Sequence, residues 1–343
     1  MNNGEKLTQW AVREIEAHYR DEVCLLLNHT SLMIDGDEEQ SGFSFYIPAN
    51  GGANGLMRTF MIGGIGHDLF PMSWERIERM SRLEDYNTTC LADATVVYAR
   101  SDGDRRRFVA LQAALNANLA NPDHCLKRAA TWLSTAKEAW GSMLSGGPAF
   151  RQRMEAGYVC DCLALSVAIS NGQFFHKGQS GQLDVLAAMP DQPKDFAEQY
   201  RAVLFAKDTG EQAVLCGKLI HSVEAYLKSK EEPQKEDPAD FHTLALWYHE
   251  MSYTWRRVYH WCEQNDAVNV YLWCCYLQDE LLRMGPKHGI EDVDLYAAFD
   301  PDDLTALRRR AKSIEQKVLE AVKAQGISLD TYESVDEFLA KNG

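Results

Sequence analysis

Short apolar runs alternate with amphipathic patterns in the first third of the chain. The strand-like runs are "EVCLLL", "FSFYI", "LMRTFMIGGI" and "ATVVYAR". The helix-like stretches are "EKLTQWAVREIEAHY", "SWERIERMSRL" and "RRRFVALQAALNANL". Apolar runs bounded by turn residues are typical of strands, whereas apolar residues at helical spacing predict helices. Strands interleaved with helices indicate an α/β or α+β layer over residues 1–121.

The pattern changes after residue 121, where strand signals stop and apolar residues recur at helical spacing. The segment "EEPQKEDPAD", from Glu231 to Asp240, is polar and contains proline, so it is the clearest linker. We therefore predict three domains, over residues 1–121, 122–230 and 231–343. The first contains the sheet, the second is a helical substrate-type domain, and the third is an additional helical region. The predicted fold class is α+β, with a large all-helical C-terminal half.

Charge and composition exclude several classes of partner. The 343 residues have a formal net charge of −15, which disfavours nucleic acid because phosphate binding requires a basic face. No apolar run reaches the length of a membrane span, and the N-terminal "MNNGEKLTQW" lacks the apolar segment of a signal peptide. The nine cysteines include "CDC" and "CC" pairs inside apolar helical stretches, which predicts core packing rather than disulfides or zinc. A cytoplasmic protein is the expectation.

The segment "TSLMIDGDEEQSGFSFYI" resembles the signature of the nucleotidyltransferase superfamily, which includes the kanamycin- and lincosamide-type adenylyltransferases. In that signature a Gly-Ser pair ends the first strand, an acidic turn follows, and the next strand carries Asp-x-Asp. An ungapped alignment places Gly-Ser on Thr30 and Ser31, the acidic turn on Asp35–Glu39, and the two aspartates on Gly42 and Ser44. Order and spacing match, whereas the two metal-binding residues are replaced.

The resemblance covers roughly residues 1–230. Members carry a third carboxylate on a later strand, and Asp68 in "GIGHDLFPMSWERIERM" stands at that place. The segment "VAISNGQFFHKGQSGQLDVLAAMPDQPKDF" is similar to the helical domain that follows the catalytic domain in small-molecule members. The resemblance implies a mixed N-terminal sheet, ATP or another NTP as substrate, and nucleotide contacts from Thr30, Ser31, Ser44 and Lys177.

The chemistry explains why the missing aspartates matter. Transfer of a nucleoside monophosphate to a hydroxyl uses Mg2+ held by carboxylates, which neutralises the triphosphate and activates the attacking oxygen. Side chains two residues apart on a strand share a face, so Asp-x-Asp presents both carboxylates to the metal. Gly42 and Ser44 have that spacing without the charge. An altered magnesium site built from Asp35, Asp37 and a catalytic Asp68 is one prediction.

Each of these residues also has a structural interpretation. The acids around Asp35 and Asp37 are more typical of a hydrated turn before a strand than of a metal site. Asp68 could cap a helix that begins near Pro71, because Asp is a favoured N-cap residue. Lys177 could be an ordinary surface lysine.

Two functional hypotheses follow from the residues and the resemblance. The first is an enzyme that adenylylates a small hydroxyl compound, for which the acidic surface would suit a cationic substrate. The second is a non-catalytic relative that binds a nucleotide, a small ligand or a protein partner. A purely structural interaction protein is a third alternative, based on the large helical half.

An aromatic stripe lies in the last third, within "WYHEMSYTWRRVYHWCEQ". Its members are Trp247, Tyr248, Trp255, Tyr259 and Trp261. Aromatic side chains dominate core and interface contacts, so core or inter-domain packing is the first interpretation. A homodimer interface and a cleft wall that stacks a base or sugar are the alternatives.

Overall fold

The computed structural model describes residues 2–33, 37–49, 55–231 and 238–342. The described chain is α+β, with a five-stranded sheet near the N-terminus and a helical C-terminal half, which confirms the predicted fold class. It divides into two compact units, the N-terminal unit Met1–Glu232 and the C-terminal unit Pro233–Gly343. Most of the predicted linker from Glu231 to Asp240 lies outside the described residues, as do residues 50–54.

The sheet belongs to the N-terminal unit and is mixed. Its strands have the spatial order β3-β4-β2-β1-β5. Only the β2–β4 pair is parallel, and the other three pairs are antiparallel. The bounds are β1 (Val23–Asn28), β2 (Phe45–Pro48), β3 (Arg58–Ile62), β4 (Ile65–Pro71) and β5 (Thr95–Ala99).

Thirteen α-helices surround or follow the sheet among the described residues. In the N-terminal unit they are α1 (Asn3–Glu14), α2 (Trp74–Ser81), α3 (Thr89–Ala92), α4 (Asp102–Leu119), α5 (Pro122–Leu144), α6 (Ala149–Ser170), α7 (Gln182–Ala187), α8 (Phe196–Phe205) and α9 (Thr209–Lys230). In the C-terminal unit they are α10 (Phe241–Glu263), α11 (Ala267–Met284), α12 (Thr305–Ala324) and α13 (Val335–Asn342).

The two faces of the sheet are buried against different helices. Leu25 and Leu27 pack with Ile77 of α2 and Phe108 of α4. Leu26 lies on the opposite face, in a cluster that also contains Ala11 and Ile15 from α1 and the turn that follows it. Because side chains alternate along a strand, the continuous apolar run of β1 supplies both clusters. The sheet is therefore an inner layer between helices.

A tight hairpin joins β3 to β4. Its turn residues Gly63 and Gly64 have φ angles of 58° and 86°. Two-residue hairpin turns require positive φ at such positions, which glycine adopts without steric cost. The run predicted as the single strand "LMRTFMIGGI" thus contains one strand and the turn, and β4 carries Asp68 along its length.

Helices α5, α6 and α9 pack together behind the sheet in the N-terminal unit. Residues Leu115 of α4, Cys125 of α5 and Ile169 of α6 belong to the same apolar cluster as β1. The predicted boundary at residue 121 accordingly falls inside one compact unit. The division of this unit into separate domains over residues 1–121 and 122–230 stays a prediction.

In the C-terminal unit α10, α11 and α12 share one apolar core. Trp247 and Trp255 are buried in this core, as predicted for the aromatic stripe. Tyr248, Tyr259 and Trp261 are half-buried.

Eight cysteines of the chain are buried and unpaired, whereas Cys275 is exposed. Among the described residues, no helix combines the length and apolar character that a membrane span requires.

Candidate functional site

Ser44 lies just before β2 and closes a hydrogen-bond network at the end of β1. Its Oγ accepts the His29 N–H at 3.1 Å and lies 3.2 Å from Asn28 Oδ1. Ser41 Oγ donates to the same Asn28 oxygen at 2.7 Å. The Ser44 hydroxyl therefore joins the two chain segments on either side of the acidic turn. This is a structural use of the position that the resemblance assigns to a nucleotide or metal ligand.

Gly42 is packed against the first turns of α1. A Cβ built on Gly42 would lie 2.4 Å from Gly4 O and 2.7 Å from both Leu7 Cβ and Thr8 N. Thr8 Oγ1 also donates to Gly42 O at 2.8 Å. Real Cβ atoms are not found that close to backbone atoms, so no side chain fits at position 42 while α1 keeps its place. The first position of the expected Asp-x-Asp pair thus serves helix packing.

Asp68 lies on β4 on the exposed edge hairpin. Its Oδ1 accepts a hydrogen bond from Thr59 Oγ1 of β3 at 3.0 Å, directly across the strand pair. It does not cap the following helix, because Ser73 caps α2 by accepting the Arg76 N–H. The parallel neighbour of β4 is β2, so Asp68 does occupy a strand beside the one that follows the acidic turn.

A different aspartate, Asp93, forms the polar centre near the end of β1. Its Oδ2 accepts from Ser31 Oγ at 2.9 Å and from Thr89 Oγ1 at 2.7 Å. His176 Nδ1 lies 2.8 Å from the same oxygen. Thr89 Oγ1 is also 3.0 Å from the His176 carbonyl. We call these four residues, Ser31, Thr89, Asp93 and His176, the Asp93 cluster.

The Asp93 cluster joins three chain segments that line one pocket of about 370 Å³. Ser31 is followed by Leu32, and His176 is followed by Lys177, and both of these neighbours line the pocket. Thr89 starts α3, just after Tyr86 and Asn87 on the pocket wall. We call this cavity the loop pocket. Its lining residues are Leu32, Tyr86, Asn87, Asp161, Leu165, Phe175, Lys177, Gly178, Gln179, Ser180 and Gln182.

The loop pocket has a polar wall built from the helical part of the unit. Gln182 is 5% exposed and donates from Nε2 to Asp161 Oδ1 at 2.6 Å. Tyr200 OH donates to Gln182 Oε1 at 3.2 Å, so the amide is held by both of its ends. Lys177 supplies a cation to the same cavity. A few fixed polar groups in a mostly formed concavity are typical of small-molecule sites.

Asp85 holds the segment that carries Tyr86 and Asn87. Its buried carboxylate contacts Arg76 Nε and Arg79 Nη2, each at 3.0 Å, and accepts the Asn87 N–H at 3.0 Å. Burial raises the pKa of this carboxyl, but the hydrogen bonds from Arg76, Asn87 and Arg79 outweigh that effect and lower its pKa overall. Asp85 stays ionised and fixes one wall of the loop pocket.

His29 lies beneath the Asp93 cluster, beside the buried Cys90. Burial lowers the pKa of His29, while the Asp93 charge opposes this in part. Its Nε2 is 3.4 Å from Cys90 Sγ, and burial raises the pKa of that thiol to about 11. Both groups are therefore neutral near pH 7, and Cys90 is not an activated thiolate. This layer supports the site rather than supplying a nucleophile.

The donors at the predicted metal position do not fit a two-carboxylate magnesium site. Position 42 has no space for a side chain, and the Ser44 hydroxyl is part of the strand-end network. Among the described residues no group of three His, Cys, Asp or Glu side chains is placed to hold a metal ion. Asp35 lies outside the described residues, whereas Asp37 precedes a short 3-10 turn, Glu38–Gln40.

Comparison of the chain with protein-family models and with curated proteins gives no match. The structure brings Ser31 and Lys177 to one region, and the Thr30 carbonyl accepts the Met33 N–H in the turn after β1. Asp68 bonds to Thr59 instead of to any residue of that region.

Sequence reasoning missed Asp93, His176 and Asp161 as site residues. Asp93 directly precedes the predicted strand "ATVVYAR", and His176 directly precedes Lys177, so each is adjacent to a feature that the sequence pattern indicated. Asp161 lies between two cysteines of a buried helix, where an acid facing a cavity is a usable signal because isolated charges are rarely buried. The spacing of residues along the sequence did not predict that the segments carrying Asp93, His176 and Asp161 meet.

Proposed function

We propose that the N-terminal unit is a nucleotidyltransferase-like binding domain that takes a nucleotide, or a small polar molecule of similar size, in the loop pocket. In this proposal the protein does not carry out metal-dependent nucleotidyl transfer. The observation that carries it is the meeting of the loop after β1 with the Lys177 loop around one cavity. These are the two segments that the resemblance assigns to nucleotide contacts.

The chemistry of the loop pocket supports a polar ligand. Lys177 provides a positive charge for a phosphate, and Asn87, Gln179 and Ser180 provide neutral hydrogen-bonding groups. Asp161 has the opposite charge to Lys177, and its carboxylate suits a hydroxyl or amino group of the same ligand. Tyr86 is 64% exposed beside them and offers a ring face for a planar base.

The close packing around Gly42 supports the proposal that the protein lacks nucleotidyl-transfer activity. An aspartate there would overlap the backbone of α1, so restoring the Asp-x-Asp pair requires the helix to move. The chain uses this position to pack α1 onto the sheet, and the hydroxyl of Ser44 to hold the strand end. The two positions have structural roles in the fold.

The test is a calorimetric titration of the full chain with ATP and with GTP, first with Mg2+ and then with EDTA. We expect binding that is indifferent to the metal. Lys177→Gln and Asp93→Asn should each weaken binding about tenfold, equivalent to about 1.4 kcal/mol. Lys194→Gln is the matched control, because Lys194 is an exposed lysine of the same unit outside the pocket lining.

Transfer of a nucleoside monophosphate to a small hydroxyl compound is the second candidate function. The pairing of His176 Nδ1 with Asp93 favours it, because a carboxylate on Nδ1 leaves Nε2 as the basic nitrogen for a substrate hydroxyl. Binding that requires Mg2+ and disappears in Asp68→Asn would favour this candidate over the first. Failure of both nucleotides to bind would contradict the nucleotide assignment.

For either function we propose the cytoplasm as the compartment, which the nine unpaired cysteines support.

A further inference from the structure

The C-terminal unit contains a second cavity of about 790 Å³, which we call the basic pocket. Helix α10 contributes Arg256 and Arg257 to it, and α12 contributes Arg308 and Lys312. Glu263 is the one acid among its lining residues. The pocket therefore has a local excess of positive charge, although the chain as a whole has a formal net charge of −15.

Within the described part of the chain, three of the four cations form no ion pair. Arg308 forms an ion pair with Glu263, which uses the acid of the pocket. No carboxylate of the described residues is in ion-pair contact with Arg256, Arg257 or Lys312. The nearby Glu315 accepts hydrogen bonds from two tyrosine hydroxyls, so its charge is partly engaged behind the pocket wall. Unpaired cations in a shared concavity repel each other, and a bound anion removes that repulsion.

Arg257 is held in place without losing its charge. Its guanidinium lies 4.5 Å from the ring centroid of Tyr253 and 4.3 Å from that of Trp273. Stacking on aromatic faces orients a guanidinium and leaves its N–H edge available. That edge matches two oxygens of a phosphate in bidentate fashion. Lys312, above the ring of Tyr259 at 5.7 Å, adds a compact cation from the neighbouring helix.

We propose that the basic pocket binds a small molecule bearing a diphosphate or a longer phosphate chain. Two guanidiniums and one ammonium supply three positive charges, which a diphosphate balances and a single carboxylate does not. The site lies wholly within the C-terminal unit and is independent of the loop pocket. Helix spacing explains its assembly, because residues three or four apart on α10 share a face, as do Arg308 and Lys312 on α12.

The test uses the full chain, with inorganic pyrophosphate as the probe. Binding is measured by calorimetry and by the change in tryptophan fluorescence, to which Trp261 and Trp273 at the pocket contribute. We expect binding that weakens as salt rises, since exposed charges are screened. The double substitution Arg256→Gln with Arg257→Gln should weaken binding at least about tenfold. Arg257→Lys should give a smaller loss, because it keeps the charge and removes the planar fork.

Controls separate this site from the rest of the molecule. Lys323→Gln removes a positive charge from the helix that carries Lys312, but Lys323 is exposed and lies outside the pocket lining. It should leave pyrophosphate binding unchanged. Melting curves followed by circular dichroism verify that each variant is folded. Absence of pyrophosphate binding at about 1 mM would overturn the proposal. Equal binding of citrate would overturn the phosphate assignment.

Discussion

At the scale of single residues, position 42 decides how the resemblance to nucleotidyltransferases is to be interpreted. A glycine is needed there because the backbone of α1 approaches to within a distance that excludes a Cβ. Gly4 is its counterpart on the helix, where a Cβ would lie 2.5 Å from Ser41 O. Two glycines thus allow a helix and a loop to touch backbone to backbone.

Replacing Gly42 with Ala should destabilise the protein by about 2–3 kcal/mol, because an added methyl group forces α1 or the loop to shift. Urea denaturation of the two proteins measures the difference. Gly141→Ala is the control, since Gly141 lies in α5 with open space around it and should gain about 0.5–1 kcal/mol. Unchanged stability of Gly42→Ala would mean that the close contact with α1 is absent in solution.

His29 gives the protein a pH dependence that belongs to one residue. Its pKa is lowered in the folded state by burial, so the unfolded chain binds more protons as the pH falls below the ordinary value of 6.5. The free energy of unfolding should therefore decrease on going from about pH 7.5 to about pH 5.5, with a slope of at most about 1.4 kcal/mol per pH unit for one proton.

Denaturation curves of His29→Gln across that range should show a shallower decrease than those of the parent protein. His221→Gln removes an exposed histidine of α9 and should leave the slope as it was. An identical slope in the parent and in His29→Gln would show that His29 is not held neutral by the fold.

At the scale of elements, the loop pocket depends on connections rather than on helices or strands themselves. The segment between α2 and α3 reaches the pocket because Asp85 is fixed by two arginines of α2. The loop after α6 reaches it because His176 is held by Asp93. Periodicity predicts the flanking elements well, but it carries no information on where irregular segments meet.

Asp85→Asn should cost about 2 kcal/mol, since the buried carboxylate loses its charge-assisted hydrogen bonds while the half-exposed arginines regain water. The same variant should weaken nucleotide binding, because Tyr86 and Asn87 lose their anchor. Urea denaturation and calorimetry measure the two effects. Asp123→Asn, an exposed acid in the first turn of α5, serves as the comparison. Full affinity in a destabilised Asp85→Asn would separate this anchor from the pocket.

At the scale of the whole molecule, charge is distributed unevenly. The net charge of −15 disfavours nucleic acid as a partner, yet the basic pocket contains four cations and one acid from α10 and α12. A sum over the chain does not reveal this, because Arg256 and Arg257 of α10 reach the same cavity as Arg308 and Lys312 of α12 only when the helices pack together. The fold turns Arg308 toward Glu263, with which it forms an ion pair.

The sequence by itself determined the α+β class, the place of the first strand, the helical character from residue 122 onwards and the core role of most cysteines and of Trp247 and Trp255. These follow from local periodicity and from the burial of apolar surface, which neighbouring residues encode. Tertiary structure alone decided that Gly42 packs against α1, that Asp93 joins three segments and that Asp68 bonds to Thr59 on an edge hairpin. Such contacts join residues far apart in the chain, and their distances depend on how whole elements pack, so no local pattern contains them.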